Sequence, residues 1–482
     1  MANAARPVVL WFRGDLRLRD QGAVAAAVAT GQPVVPLYVL DDETPGRWRL
    51  GGASRWWLDG SLRSLAADLA GAGSQLVLRR GETVAALSGL VHETGATAVF
   101  AGVAVEPWAR ALSERLETAM RQSGVAVHWH RTVSLFDADA IRTQSNGPYS
   151  VYSPFARACF ARQPPRPPSD APARILAGPD CSSDDLNSWK LTPTSPDWAG
   201  GLRESWMPGE GGARVQLRRF VADALGQYDG TRNVPSVEGT SRLSPHLHFG
   251  EISAGEVWHA ARGAAADTGK PLETFLKEVL WREFSMHLLW HHPRLPEEPL
   301  RREFGSMPFR QDRAALAAWR RGRTGIPMVD AGMRQLWQTG WMHNRVRLVV
   351  ASFLVKHLLI SWQEGESWFW DTLVDADLAS NSANWQWIAG CGADAAPYFR
   401  VFNPALQGAK FDPSGDYVRR FVPELTRLGK QYIHTPWDAP ETVLAEAGVR
   451  VGETYPRPIV GLEAGRNRAL AAYRSLDRVG AG

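Results

Sequence analysis

Short apolar runs recur through the first 140 residues, at 8–12, 34–40, 75–78, 97–100 and 125–129, each of a length that suits one strand. Between them, residues 55–70, 83–93 and 108–122 carry apolar positions at helical spacing. Nearly continuous apolar strands alternating with amphipathic helices predict a Rossmann-like α/β domain, with a five-stranded parallel sheet covered on both faces. The turn after the first run reads Phe12, Arg13, Gly14, Asp15 and lacks the GxGxxG cradle. An ordinary dinucleotide site is therefore not expected there.

The pattern changes at about residue 141. From there to 212 the chain is rich in Pro, Ser, Asp and Gly, with RQPPRPPSDAP and SWMPGEGG among its segments. This composition predicts a mostly irregular linker. From 213 onward the periodicity is helical, at 215–225, 272–289, 313–321, 331–339 and 344–359. The expected organisation is an α/β domain over 1–140, a linker over 141–212 and an all-α domain over 213–482.

Composition narrows the classes. Hydrophobic residues at 44% and charged residues at 22% describe a globular protein, not a disordered one. The three cysteines, Cys159, Cys181 and Cys391, are far apart, which excludes a disulfide scaffold and a multi-Cys zinc site. No metal site is expected. The first strand begins too early for a signal peptide, and the apolar stretch 346–362 is interrupted by Arg347, Lys356 and His357. The expectation is a cytoplasmic protein with no membrane partner.

Charge and tryptophan add direction. Residues 1–210 carry 21 basic and 21 acidic side chains; residues 211–482 carry the other 33 of 54 basic and 29 of 50 acidic, and so hold the whole excess of +4. That points toward an anionic partner for the second half. The preference for 48 Arg over 6 Lys is explained equally well by a GC-rich genome. Tryptophan is over-represented, with 21 Trp against 9 Tyr and 17 Phe, and ten of the 21 fall within 281–387. Large rigid rings fill cores, stack on bases or relay electrons.

Three segments combine residues that do chemistry. Thr240, Ser241 and Ser244 are small hydroxyls in a loop before a helix, a phosphate cradle or an ordinary helix cap. Glu278, Trp281 and Arg282 share one helical face, where a ring could stack on a base while a carboxyl bonds its edge. Asp375 and Asp377 lie close to Asn381, and Asn381 is four residues before Trp385, with Trp387 beyond. Core packing accounts for any single one of these rings. It does not account for their combination with carboxylates, an amide and the His343, Asn344, Arg345 helix start.

The chain resembles the DNA photolyase/cryptochrome family over nearly its whole length. The resemblance rests on WFRGDLRLRD, EGTSRLSPHLHFGEIS, LWREF, RQLWQTGWMHNRVRLVVASFLVK, LVDADLASNSANWQW and DAAPYFRVFNPALQGAKFD. It implies an α/β antenna domain over 1–140 and a helical, catalytic FAD-binding domain over 213–482, with FAD held non-covalently. By the family pattern, Tyr228, Thr240, Ser241, Arg242, Leu243 and Ser244 surround the FAD phosphates and ribose. Trp281, Asn344, Arg347, Asp375, Ala376, Asp377 and Asn381 line the flavin pocket, with Arg347 and Asp375 as a charge pair and Asn381 facing flavin N5.

The implied reaction is light-driven repair of cyclobutane pyrimidine dimers in UV-damaged DNA, by electron transfer from excited reduced FAD to a flipped-out dimer. The lesion must leave the base stack, and photolyases are themselves among the known base-flipping enzymes. Glu278 would hydrogen-bond the lesion; Arg232, Trp281, Arg282, Asn344, Arg345, Trp387 and Gln407 would contact the lesion or DNA. Trp385 and Trp362 match the two flavin-proximal members of the family's electron relay. The third position is Phe309, so Trp319, Trp337, Trp341 and Trp370 are alternatives.

Leu348 stands where 6-4 photolyases carry a lesion-facing His, which favours the cyclobutane class. A cryptochrome-type photoreceptor is the second reading, opposed by Asn381 and by the short stretch after the last helical pattern. A flavin-free DNA-binding protein is the third. Glu106 matches an antenna-contacting acid, and the alternatives the resemblance leaves are methenyltetrahydrofolate, 8-hydroxy-deazaflavin or an empty antenna site. A monomer is expected.

Overall fold

A computed structural model describes residues 6–268, 272–394 and 399–479, which fall into two compact units. The first unit is discontinuous in sequence, drawing on Met1–Gly226, Ser241–Pro293 and Val374–Ala379. Its centre is a five-stranded parallel sheet of β1 (Val8–Phe12), β2 (Val34–Leu40), β3 (Val77–Arg80), β4 (Ala98–Gly102) and β5 (Ala126–His130), in the order β3-β2-β1-β4-β5. All residues of β1, β2 and β4 are buried, as the two-faced apolar runs require. The α/β fold and the strand count expected from the apolar pattern are present.

Four helices supply the crossovers: α1 (Gly22–Ala29), α2 (Gly52–Gly71), α3 (Thr83–Thr94) and α4 (Pro107–Gln122). Helix α1 is not among those the spacing predicts. Its sequence GAVAAAVA contains no polar residue, so it has no polar face to set a period. Strand β3 begins two residues later than the apolar run suggests. It ends on Arg79 and Arg80, and the sheet edge tolerates both because Arg79 pairs with Glu93 and Arg80 with Asp42.

The stretch 141–212 is less irregular than its composition implies. It holds α5 (Tyr152–Phe160), and Val34 N–H donates to Leu176 O while Gly178 N–H donates to Val34 O, tying a coil to the start of β2. Beyond it, α6 (Ser244–His248) and α7 (Glu273–His291) also belong to the first unit.

The second unit is helical, with α8 (Pro327–Thr339), α9 (Asn344–Ser352), α10 (Trp362–Thr372), all but the first two residues of α11 (Leu378–Ala389), α12 (Pro404–Phe411) and α13 (Leu462–Val479) among its elements. The helix expected over 344–359 is α-helical only to Ser352 and continues as a π-helical turn, Phe353–His357. Helices α8 and α9 meet closely at Gly332, where an added Cβ would lie 2.5 Å from Val346 Cγ1 and 2.8 Å from Val350 Cγ2. Among the described residues, no helix is long and apolar enough to cross a membrane.

Candidate cofactor and DNA site

In the first unit the expected phosphate loop is held from outside itself. Gln216 Nε2 donates to Ser241 O at 2.8 Å, and the Arg242 guanidinium lies 4.3 Å over the Trp206 ring. Arg242 adopts φ +50°, a left-handed conformation that a non-glycine residue takes only when its surroundings enforce it. Helix α6 starts at Ser244 without a side-chain cap. Ser241 Oγ accepts from Leu243 N–H at 3.4 Å instead. The helix-cap reading of these hydroxyls is therefore not the one adopted.

Glu278 and Trp281 stand on α7. One face of Trp281 is covered by Tyr152, with ring centroids 3.7 Å apart and planes within 8°, and Phe284 meets it edge-on at 5.8 Å. Tyr152 also donates its hydroxyl to Lys277 O at 2.5 Å, so α5 fixes the turn that carries both candidate residues. Arg282, expected at the DNA, is engaged within the first unit in this structure. Its Nη1 instead donates to Val133 O at 2.7 Å and its Nη2 to Leu247 O at 3.2 Å. With both nitrogens on main-chain carbonyls, Arg282 orients α7.

Asp375, Ala376 and Asp377 form a tight turn, closed by Asp377 N–H donating to Asp375 O at 2.8 Å. Burial holds the His248 imidazole below its usual range, while Asp377 and Asp375 pull it back up. Burial raises the Glu106 carboxyl, with Asp377 adding to the effect and Arg13 opposing it. The acid expected at an antenna site, at the start of α4, thus lies within electrostatic reach of a candidate flavin-pocket carboxylate.

The second unit holds the remaining candidates. Asn381 is buried on α11 and donates through Nδ2 to Glu366 O at 3.0 Å, which fixes its amide orientation and leaves Oδ1 as an acceptor. Trp385, one helical turn on, is buried with Phe369 at 5.0 Å and Trp319 at 6.3 Å, both edge-on. Trp362 is buried at the first position of α10. Of the four alternative relay rings, Trp319 is thus a direct ring neighbour of Trp385, while Trp337 is exposed and stacks on Trp368 at 6.2 Å. Trp387 donates its indole N–H to Asp394 O at 3.1 Å.

Helix α9 opens on a cationic cluster. Arg345 donates twice to Asn233 Oδ1, at 2.8 and 3.3 Å, and covers Phe411 at 4.4 Å. Arg232 lies 5.4 Å over Tyr228, and Arg347 Nε donates to Met342 O at 2.7 Å. Burial lowers His343 to about 4, helped by Arg345, Arg347 and Arg232. A neutral His343 can therefore accept from Arg345 N–H at 3.2 Å and cap α9. Asn344 is exposed at the helix start, Gln407 is partly exposed on α12, and Thr240 is partly exposed where its loop begins. Residues 395–398 of the DAAPYFRVFNPALQGAKFD motif lie outside the described residues.

Sequence reasoning missed Tyr152 and His248. A signal for Tyr152 exists, since Tyr152, Phe155, Ala156 and Cys159 have the spacing of one buried helical face. The Pro-rich composition around it outweighs that signal.

These features coincide with two family models. Residues 8–173 match the DNA photolyase model, and residues 275–475 match the FAD binding domain of DNA photolyase. The chain belongs to the DNA photolyase family. Its helical region is accordingly the family's FAD-binding domain. A deoxyribodipyrimidine photo-lyase of Agrobacterium fabrum is 48% identical, over 99% of this chain and 100% of the relative. The crystal structure of a bacterial class III photolyase from Agrobacterium tumefaciens matches with a TM-score of 0.96 at 48% identity, covering 99% of each chain. Cryptochrome-1 of Arabidopsis thaliana is 39% identical, over 97% of this chain and 70% of that protein.

Proposed function

We propose that the protein repairs cyclobutane pyrimidine dimers in DNA under light. The observation that carries this reading is the buried Asn381, set by Glu366 so that its oxygen is presented as an acceptor. An acceptor there suits a reduced flavin, which carries a proton on N5. The loop before α6, held by Gln216 and carrying the left-handed Arg242, is the one this reading assigns to the FAD phosphates.

In this reading Tyr228, Thr240, Ser241, Arg242, Leu243 and Ser244 hold the phosphates and ribose. Trp281, Asn344, Arg347, Asp375, Ala376, Asp377 and Asn381 line the ring system. When bound, reduced FAD supplies on excitation the electron that splits the dimer and receives it back. The chain's own residues do the rest. Glu278 hydrogen-bonds the lesion's carbonyl edge and stabilises charge developing there. Trp281, backed by Tyr152, presents a rigid face for stacking, as does Trp387. Arg232 and Arg345 anchor phosphates, and Asn344 and Gln407 meet the lesion or its neighbours. Trp385 passes electrons to an oxidised cofactor, from Trp362 or from Trp319. Residues 1–140 hold the antenna chromophore, with Glu106 at its site, and residues 213–482 form the catalytic domain.

The Arabidopsis relative keeps a photoreceptor reading in view. A light-dependent assay on oligonucleotides carrying cyclobutane or 6-4 lesions separates the readings. Repair of the cyclobutane substrate alone is the expected result. Repair of neither lesion by flavin-loaded protein would favour a photoreceptor.

A further inference from the structure

The segment SWMPGEGG, residues 205–212, supplies none of the residues assigned above, yet it stands behind the loop assigned to the FAD phosphates. Its Trp206 carries the Arg242 guanidinium over the ring, 4.3 Å from the ring centre. Arg242 is also the residue held at φ +50°, a conformation that its surroundings must enforce. Six residues past Glu210, in the helix Glu210–Arg219, Gln216 donates to Ser241 O at 2.8 Å. Two neighbouring residues of the loop are thus gripped from one short stretch of chain, one by its side chain and one by its carbonyl.

The Trp206 ring is itself anchored. Trp57 of α2 meets it edge-on at 5.5 Å, stacks on Phe249 at 6.1 Å, and donates its indole N–H to Glu251 Oε1 at 2.9 Å. Glu251 is fully buried and also accepts from Gly209 N–H at 2.7 Å, from Ser61 Oγ and from His246 Nδ1. Four donors satisfy a carboxylate that would otherwise be costly to bury. Gly209 lies three residues after Trp206, and His246 lies two residues after Ser244 in α6. One carboxylate therefore ties the segment to the helix that continues the loop. Gly209 has φ +103°, and a Cβ there would stand 2.2 Å from Ser64 Oγ, so the segment lies directly against α2.

We propose that Trp206 is a positioning residue for FAD, acting through Arg242: its ring holds the guanidinium, and with it the left-handed turn of the phosphate loop. This rests on the assignment of residues 240–244 to the FAD phosphates and ribose. Trp206 touches no part of the cofactor in this scheme. It lowers the cost of forming the loop, so its effect falls on FAD retention. An aromatic face suits the task because a cation over a ring is held without a carboxylate, whose charge would oppose the phosphates.

Release of flavin from the holoprotein on dilution, in the dark and without DNA, gives the FAD dissociation constant from the rise in flavin fluorescence. Trp206→Ala should weaken FAD at least about fivefold, within the range of a partly desolvated cation–ring contact. Trp206→Phe keeps a ring face and should recover most of that loss. Arg242→Gln should weaken FAD as well, and in that background Trp206→Ala should cost less than about twofold, because the contact is already gone. A ring that only packs would give the same loss in both backgrounds, and that result overturns the proposal, as does an unchanged affinity in Trp206→Ala. If Arg242→Gln leaves FAD affinity unchanged, the phosphate assignment of the loop falls and the inference falls with it. A loss in Arg242→Gln with none in Trp206→Ala removes the inference alone. No lesion and no light enter the measurement, so failure of the repair reading leaves it intact.

Discussion

Two residues carry the sharpest expectations for chemistry. Glu278 shares α7 with Trp281, whose position is fixed by stacking and not by ionic pairing, so neutralising Glu278 should leave the ring in place. Glu278→Gln is expected to lower the repair yield per absorbed photon by severalfold with FAD content unchanged. An unaltered yield would remove Glu278 from the mechanism. Trp385 depends on a residue with no side chain. A Cβ on Gly365 would lie 2.1–2.6 Å from three atoms of the Trp385 ring. Gly365→Ala should therefore displace the ring and cost about 1–3 kcal/mol in chemical denaturation, and slow photoreduction of oxidised FAD. Trp385→Phe should abolish or greatly slow photoreduction while keeping most of the stability, because it leaves more space instead of less.

At the scale of elements, α5 acts as a support for α7. Tyr152→Ala is expected to weaken binding of dimer-containing DNA while flavin binding is retained, since Trp281 loses the ring that covers one face. Tyr152→Phe keeps the stack and gives up only the bond to Lys277 O, worth about 1 kcal/mol. Comparison of the two in a DNA-binding titration separates stacking from hydrogen bonding; equal losses would contradict the assignment. This element also shows where the sequence is hard to read. Strands β1, β2 and β4 are legible because burial on both faces leaves only apolar residues. Helix α5 is hidden by flanking prolines, and α1 by having no polar residue to set a period. The candidate site is legible as motif, in Asp375, Asp377, Asn381 and Trp385. Its supports are not, because a stack such as Tyr152 on Trp281 joins positions far apart in the chain. The internal engagement of Arg282 is invisible for the same reason: its acceptors are carbonyls at Val133 and Leu247.

Across the whole molecule, buried ionisable groups set a pH response. Burial lowers His287, His343 and His357 to about 4 from 6.5, while it raises Glu283 to about 7 from 4.5. For each histidine the unfolded chain binds the proton first, so its stabilising contribution is present above pH 6.5 and is lost as pH falls toward 4. Glu283 acts in the opposite sense: its contribution is present below 4.5 and is lost as pH rises toward 7. Between 4.5 and 6.5 these four groups make unfolding take up a net of about two protons, three gained and one released. Thermal unfolding at a series of pH values should therefore show a midpoint that falls on acidification through that window. A midpoint that rises there would mean that Glu283 outweighs the histidines.

The discontinuity of the first unit has a consequence for synthesis. All five of its strands are complete once His130 has been made, yet the unit also includes Ser241–Pro293 and Val374–Ala379. A chain emerging from the ribosome can thus assemble the sheet early, but it must wait for its last short segment, with Asp375 and Asp377, until more than three quarters of the protein exists. Domains generally fold as units during translation. Here the unit begun first cannot be finished until much of the helical unit has also been translated, because its last segment, with Asp375 and Asp377, follows Arg294–Leu373 of that unit.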